Sequence, residues 1–116
     1  MKMYKEYLLE FSLFRSESNT AVKKLDNYLY DKMNKEMDVG LNKCSGNKNF
    51  KLCQRLLWVK VYSKWYNILK SKGTNICKND SLCVKTLNRK LNNLLSTVNS
   101  AKQDIDQIKK GKVVND

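Results

Sequence analysis

Four cysteines are the most reactive side chains in this 116-residue chain, and their number and spacing indicate disulfide chemistry. Cys44 and Cys53 are separated by eight residues, and Cys77 and Cys83 by five. An even number of cysteines in a short chain is typical of secreted proteins whose thiols are oxidised. A zinc site of four thiolates is the alternative, but neither pair has the two-residue gap that such sites usually contain. The cysteines therefore predict two disulfides and a secreted protein.

The remaining side chains supply little that could catalyse a reaction. The chain has no histidine, which removes the commonest general base and the commonest ligand of a catalytic metal. Asp104 and Asp106 lie two residues apart on a predicted helix, so their carboxylates point in different directions and cannot act as a pair. No glycine-rich phosphate loop is present. We expect a protein that is not an enzyme and that uses no cofactor and no metal.

The formal net charge of +12 comes entirely from the middle of the chain. Residues 39–103 contain thirteen Lys or Arg residues and one acid, Asp80, whereas residues 1–38 and 104–116 are each neutral. Such a confined imbalance predicts a surface for an acidic partner, although solvated lysines would give the same composition. Only three of the 23 basic residues are Arg, which argues against nucleic acid as the partner. An anionic polysaccharide or membrane surface stays open as a partner.

The elements that position these residues are predicted to be four helices in a single domain over residues 1–116. The chain has no proline, and its longest apolar run, residues 56–59, is too short to span a membrane. A polar cluster at residues 16–20 separates the first helix from the second, although one bent helix would also fit. The second helix is predicted to end before Gly40. The apolar residues at helical spacing are Tyr4, Tyr7, Leu8, Phe11 and Phe14 in the first helix, and Val22, Leu25, Leu29 and Met33 in the second.

The third predicted helix runs from Phe50 to about Ser71, with Gly73 as its C-terminal stop. Its apolar arc covers more than half of the circumference, which is typical of the central helix of a bundle. Trp58 and Trp65 border this arc, so we expect them in the core rather than stacked on bases. The centre of the arc consists of Phe50, Cys53, Leu57, Val61 and Ile68.

The fourth predicted helix, from Leu82 to Lys110, has the clearest periodicity in the chain. One residue among Asn79, Asp80 and Ser81 caps its start, and Gly111 ends it. An a/d seam like this one can form an intermolecular coiled coil, but beside three other amphipathic helices it favours an antiparallel four-helix bundle and a monomer. The seam consists of Val84, Leu87, Leu91, Leu94, Val98, Ala101, Ile105 and Ile108.

The predicted helices also select the disulfide pairing. If the third and fourth helices are antiparallel neighbours, about 25 Å of helix separates Cys53 from the end where Cys77 and Cys83 lie. Bridged Cα atoms must lie within about 7 Å of each other. The predicted pairs are therefore Cys44–Cys53 and Cys77–Cys83.

Helical phase identifies the cations that the core leaves outside, and these are the candidate partner-binding residues. Antiparallel packing would bring the end of the third helix beside the start of the fourth, so the two groups could form one patch. The sequon Asn79-Asp80-Ser81 could carry a glycan, although capping of the helix is the simpler role. The candidate residues are Lys60, Lys64, Lys70, Lys85, Arg89 and Lys90, with Tyr66 as the aromatic residue beside them.

The whole chain resembles the small salivary proteins of anopheline mosquitoes, the family that includes anophensin and albicin. The resemblance rests on length, the lack of proline, the helical layout, the basic charge and the positions of the four cysteines. It implies secretion into vertebrate blood and binding to host plasma proteins without catalysis. The implied target is the alternative complement pathway convertase C3bBb, formed by C3b and factor B, or the factors of contact (kallikrein–kinin) activation. No inhibitory loop is recognisable, so binding through an assembled helical surface fits better than substrate mimicry.

Two other classes of secreted helical protein stay open. A small-ligand carrier related to insect odorant-binding proteins would need a central apolar cavity, and the usual six-cysteine pattern lacks two members here. A short-chain helical cytokine would share the bundle but usually has long crossover loops, whereas the predicted loops are short.

Overall fold

A computed structural model describes residues 17–114 of the chain. Helices make up 87% of these residues, and no β-strand occurs among them. The all-α class is therefore confirmed. The predicted first helix, with Tyr4 to Phe14, lies outside the described residues. The second, third and fourth predicted helices correspond to α1 (Glu17–Cys44), α2 (Phe50–Cys77) and α3 (Ser81–Lys109).

Two predicted helix ends were wrong, and both errors come from glycines. Helix α1 continues through Gly40 to Cys44, and α2 continues through Gly73 to Cys77. A Cβ atom on Gly73 would lie 2.6 Å from Cδ1 of Leu87, and one on Gly40 would overlap the side chain of Leu57. These glycines therefore allow a neighbouring helix to approach closely, and neither ends its helix.

The glycines that follow helix ends are those with a left-handed backbone. Gly46 (φ 81°) follows α1 and Gly111 (φ 78°) follows α3. After α3, the Gly111 N–H donates to the carbonyl oxygen of Ile108, and the Lys112 N–H donates to the carbonyl oxygen of Gln107. Both N···O distances are 2.9 Å. This is a Schellman motif, which satisfies carbonyls that the helix leaves without partners. The predicted stop of this helix at Gly111 is confirmed.

Both helix connections are closed by a disulfide, and the predicted pairs are the ones formed. The Cα atoms are 5.7 Å apart in Cys44–Cys53 and 5.2 Å apart in Cys77–Cys83. The two corners share a pattern: a glycine lies four residues before the first cysteine, and a leucine lies four residues after the second. In each corner this leucine sits against this glycine. The α1–α2 corner is thus held close by Gly40, Leu57 and the Cys44–Cys53 disulfide. The α2–α3 corner is held close in the same way by Gly73, Leu87 and the Cys77–Cys83 disulfide.

The core lies where α2 packs against both α1 and α3. Most of the predicted α3 seam is buried, from Leu87 to Ile105, while Val84 and Ile108 are half-buried. Phe50, predicted at the centre of the α2 arc, is instead 39% exposed. It is the first residue of α2 and follows a loop of exposed residues, 45–49, so no neighbouring helix covers it.

Candidate interaction surface

Within residues 17–114, three ion pairs join the basic middle of the chain to acids from its two neutral ends. Arg55 Nε lies 2.8 Å from Asp104 Oδ2, Lys64 Nζ lies 3.0 Å from Glu36 Oε1, and Lys90 Nζ lies 2.9 Å from Asp26 Oδ2. Each acid lies outside residues 39–103, and each base lies within that range. Part of the central charge is therefore neutralised within the molecule and is not offered to a partner.

Asp26 is the point at which side chains of all three helices meet. Its Oδ1 accepts a hydrogen bond of 3.0 Å from Nε1 of Trp65 on α2, and its Oδ2 accepts one of 2.9 Å from Nζ of Lys90 on α3. The indole of Trp65 is only 8% exposed, in agreement with its predicted place in the core. Its ring also stacks on Tyr62 and meets Tyr30 edge-on, with centroids 6.0 and 5.9 Å apart. This junction fixes the relative positions of α1, α2 and α3.

Arg55 is a second polar anchor, which was not predicted from the sequence. Its side chain is 1% exposed, and its guanidinium lies 4.2 Å from the ring centroid of Trp58 while it bonds Asp104 on α3. A planar guanidinium can stack on an aromatic ring and bond a carboxylate at the same time. The sequence does contain one indication of this role. Arg55 lies three residues before Trp58, and residues three apart on a helix are neighbours, so the guanidinium can reach the indole ring.

The structure divides the six cations of the predicted partner-binding set into two groups. Lys64 and Lys90 pair with acids of α1, Lys64 on the exposed surface and Lys90 at the partly buried Asp26. The other four are exposed and form no ion pair with any acid among residues 17–114. These four residues, which we call the open cations, are Lys60, Lys70, Lys85 and Arg89.

The open cations are distributed over the solvent-facing sides of α2 and α3. Lys85 and Arg89 are one turn apart on α3 and therefore lie on the same side of that helix. Lys60 and Lys70 are ten residues apart on α2, about 15 Å along its axis. The ammonium group of Lys70 lies 5.8 Å from the ring centroid of Tyr66, which is half-buried. The ring face of Tyr66 therefore contacts Lys70, while Tyr66 also packs against the core.

Two surface grooves were not predicted from the sequence. One, of about 350 Å³, lies between α1 and α2. Its lining includes the apolar residues Val39, Leu57 and Val61 and the charged residues Glu36, Lys43 and Lys60. The other, of about 260 Å³, lies beside the Asp26 junction and is lined by Tyr30, Tyr62 and Trp65 among others. The first groove, which we call the Lys60 groove, places an open cation beside exposed apolar surface, since Val39 is 56% exposed.

Within residues 17–114, none of the helices is long and apolar enough to cross a membrane. All four cysteines are oxidised, so none is a free thiol. In the same part of the chain, no cluster of three or more Cys, Asp or Glu residues could hold a metal ion.

Comparisons of the chain with protein-family models, with curated proteins and with solved structures find no match.

Proposed function

We propose that this protein is a secreted salivary inhibitor that binds the alternative-pathway convertase C3bBb in host plasma and blocks its turnover or its access to substrate. The proposal combines the family resemblance, which names the target, with the surface of the helices, which offers a means of binding. The inhibitor acts as a monomeric antiparallel four-helix bundle, without catalysis and without being cleaved.

The observation that carries the proposal is a set of exposed cations that take part in none of the internal ion pairs. Lys60, Lys70, Lys85 and Arg89 are exposed and have no acid partner within residues 17–114. An acid on the target could approach them without first breaking an ion pair of this protein. Unpaired cations of this kind accelerate the encounter with an acidic surface and orient it.

The Lys60 groove is the best candidate for the centre of the interface. Charges at the rim of an interface mainly change association rates, whereas binding energy concentrates where apolar side chains are fully covered. Val39 and Leu57 supply the apolar surface, and Lys60 supplies a cation at its edge. A segment of the convertase with an apolar side chain next to a carboxylate would fit this combination.

The proposal is tested by assaying alternative-pathway lysis and contact activation side by side with purified protein. We expect lysis to be inhibited, and surface plasmon resonance to show tighter binding to C3bBb than to C3b or factor B alone. Equal binding to factor B alone would contradict recognition of the assembled convertase. Inhibition of contact activation without inhibition of lysis would instead favour the second function implied by the resemblance.

A further inference from the structure

The triplet Asn79-Asp80-Ser81 lies in the short turn that joins α2 to α3, and only its middle residue has a structural role. The Asp80 carboxylate accepts a hydrogen bond of 3.1 Å from the backbone N–H of Cys83, so Asp80 is the N-cap of α3. The side chains of Asn79 and Ser81 form no hydrogen bond with the described part of the chain. Capping, the simpler explanation for the triplet, therefore accounts for Asp80 but not for the other two residues.

Both of these residues are presented to solvent. Asn79 and Ser81 are exposed. The Cys77–Cys83 disulfide closes the turn, and the Asp80 N–H donates a hydrogen bond of 2.9 Å to the Cys77 carbonyl within it. Asn-X-Ser with X other than proline is the acceptor sequence for N-linked glycosylation, and it is used where the asparagine lies on a surface turn. No other Asn-X-Ser/Thr triplet occurs in the chain.

The two disulfides indicate the compartment in which this acceptor would be available. Disulfides form in the oxidising endoplasmic reticulum, where N-linked glycans are also attached. This step rests on the secretion that is part of the proposed function.

We propose that Asn79 is a site of N-linked glycosylation. In the reaction, Nδ2 of Asn79 forms a bond to the anomeric carbon of an oligosaccharide carried on a polyisoprenyl diphosphate. The bond from that carbon to the diphosphate oxygen breaks, the lipid diphosphate leaves with the electron pair, and Nδ2 loses one proton. The hydroxyl of Ser81 is the group by which the transferase recognises the acceptor.

The position of the glycan relative to the open cations follows from the helices. Asn79 lies six residues before Lys85, at the α2–α3 corner. Lys60 lies seventeen residues before Cys77, about 26 Å away along α2. A glycan on Asn79 would therefore cover the corner beside Lys85 and leave the Lys60 groove open.

The test uses the full chain behind a heterologous signal sequence, translated in the presence of microsomes. A second acceptor triplet appended after Asp116 reports that the chain has entered the lumen, independently of whether the native protein is secreted. We expect two glycans on this chain and one on N79Q or S81A, each removed by an endoglycosidase. S81T should raise the occupancy of Asn79, because threonine acceptors are used more efficiently than serine acceptors.

A single glycan on the parent chain, located by peptide mass spectrometry at the appended triplet, would overturn the proposal. That result would leave the proposed binding to C3bBb untouched, because the binding assays use purified protein with no requirement for a glycan. Failure of the purified, unglycosylated protein to bind C3bBb would have the opposite meaning: it would contradict the proposed function and leave the glycosylation of Asn79 untouched.

Discussion

At the scale of single residues, Asp26 and Arg55 link segments that are far apart in the sequence. Asp26 is 16% exposed and accepts hydrogen bonds from α2 and α3, while Arg55 is buried beneath Trp58 and bonds Asp104. Removing one of these polar groups lowers the stability of the fold mainly because its hydrogen-bond partner stays buried without a partner. In the unfolded chain that same group bonds to water.

Replacing Asp26 by alanine should lower the free energy of unfolding by about 2 kcal/mol, because the Trp65 indole N–H loses its acceptor and Lys90 loses its ion pair. Urea unfolding followed by circular dichroism measures the change. Asp31→Ala is the matched control, since Asp31 is an exposed carboxylate on the same helix, and it should change stability by less than about 0.5 kcal/mol. Equal effects of the two substitutions would show that the Asp26 junction contributes little.

At the scale of elements, the two helix corners contain the same three features, but the leucine has more free space around it in one corner than in the other. Each has a disulfide, a glycine one turn before it and a leucine one turn after it. Leu87 is 3% exposed and packed in the core, whereas Leu57 is half-buried and faces the Lys60 groove. The same added methyl group should therefore have different consequences at the two corners.

Gly73→Ala should destabilise the protein by about 1 kcal/mol, because overpacking against the confined Leu87 outweighs the gain in helix propensity. Gly40→Ala should be neutral or stabilising by up to about 1 kcal/mol, because Leu57 can turn into the groove. Thermal and urea unfolding of both variants tests the difference. If Gly40→Ala is the more damaging of the two, the groove does not provide the space that this argument requires.

The disulfides should contribute similar amounts to stability because they close loops of similar length. Replacing Cys44 and Cys53 together by serine, or Cys77 and Cys83 together, should each cost about 2.5 kcal/mol in the loop-entropy description. Unfolding in urea of the two double variants, compared with the parent protein under oxidising conditions, gives the values. A much larger loss at one corner would mean that the corner's packing also depends on its disulfide.

At the scale of the whole molecule, the cations in the basic middle of the chain fall into two groups. Arg55, Lys64 and Lys90 pair with acids from the neutral ends. The open cations have no acid partner within residues 17–114. The interface proposed above therefore depends on Lys60, Lys70, Lys85 and Arg89, and a test that includes Lys64 would disturb the pair with Glu36 as well.

Reversing Lys60, Lys70 and Arg89 to Glu together should slow association with C3bBb by about tenfold or more. The effect should weaken above physiological ionic strength, where the Debye length is about 8 Å. Surface plasmon resonance at several salt concentrations measures both, with circular dichroism to show that folding is unchanged.

The matched control for this variant carries the same charge change on α1. Lys23, Lys24 and Lys32 are exposed and lie outside the basic middle of the chain, so their reversal to Glu should leave most of the association rate intact. If both triple variants slow binding equally, net charge alone explains the effect. If neither does, the open cations are only a solvated face.

The sequence by itself determined the features that depend on local spacing. The seam of α3 follows from the 3.6-residue period. Its start follows from the polar triplet 79–81, within which the structure identifies Asp80 as the cap, and its stop follows from Gly111. The disulfide pairs follow from the length of a straight helix between Cys53 and Cys77. Each of these involves residues close in the chain or joined by one rigid element, so that backbone geometry alone restricts the outcome.

Only the tertiary structure decided the roles of Gly40 and Gly73 and the acid partners of Arg55, Lys64 and Lys90. A glycine near the end of an amphipathic segment is equally compatible with a helix stop and with a close helix contact, and the choice depends on the leucine that another helix brings to it. The partners of Arg55, Lys64 and Lys90 are 49, 28 and 64 residues away. No local pattern marks such pairs, because they form only after the helices have packed and brought the two side chains together.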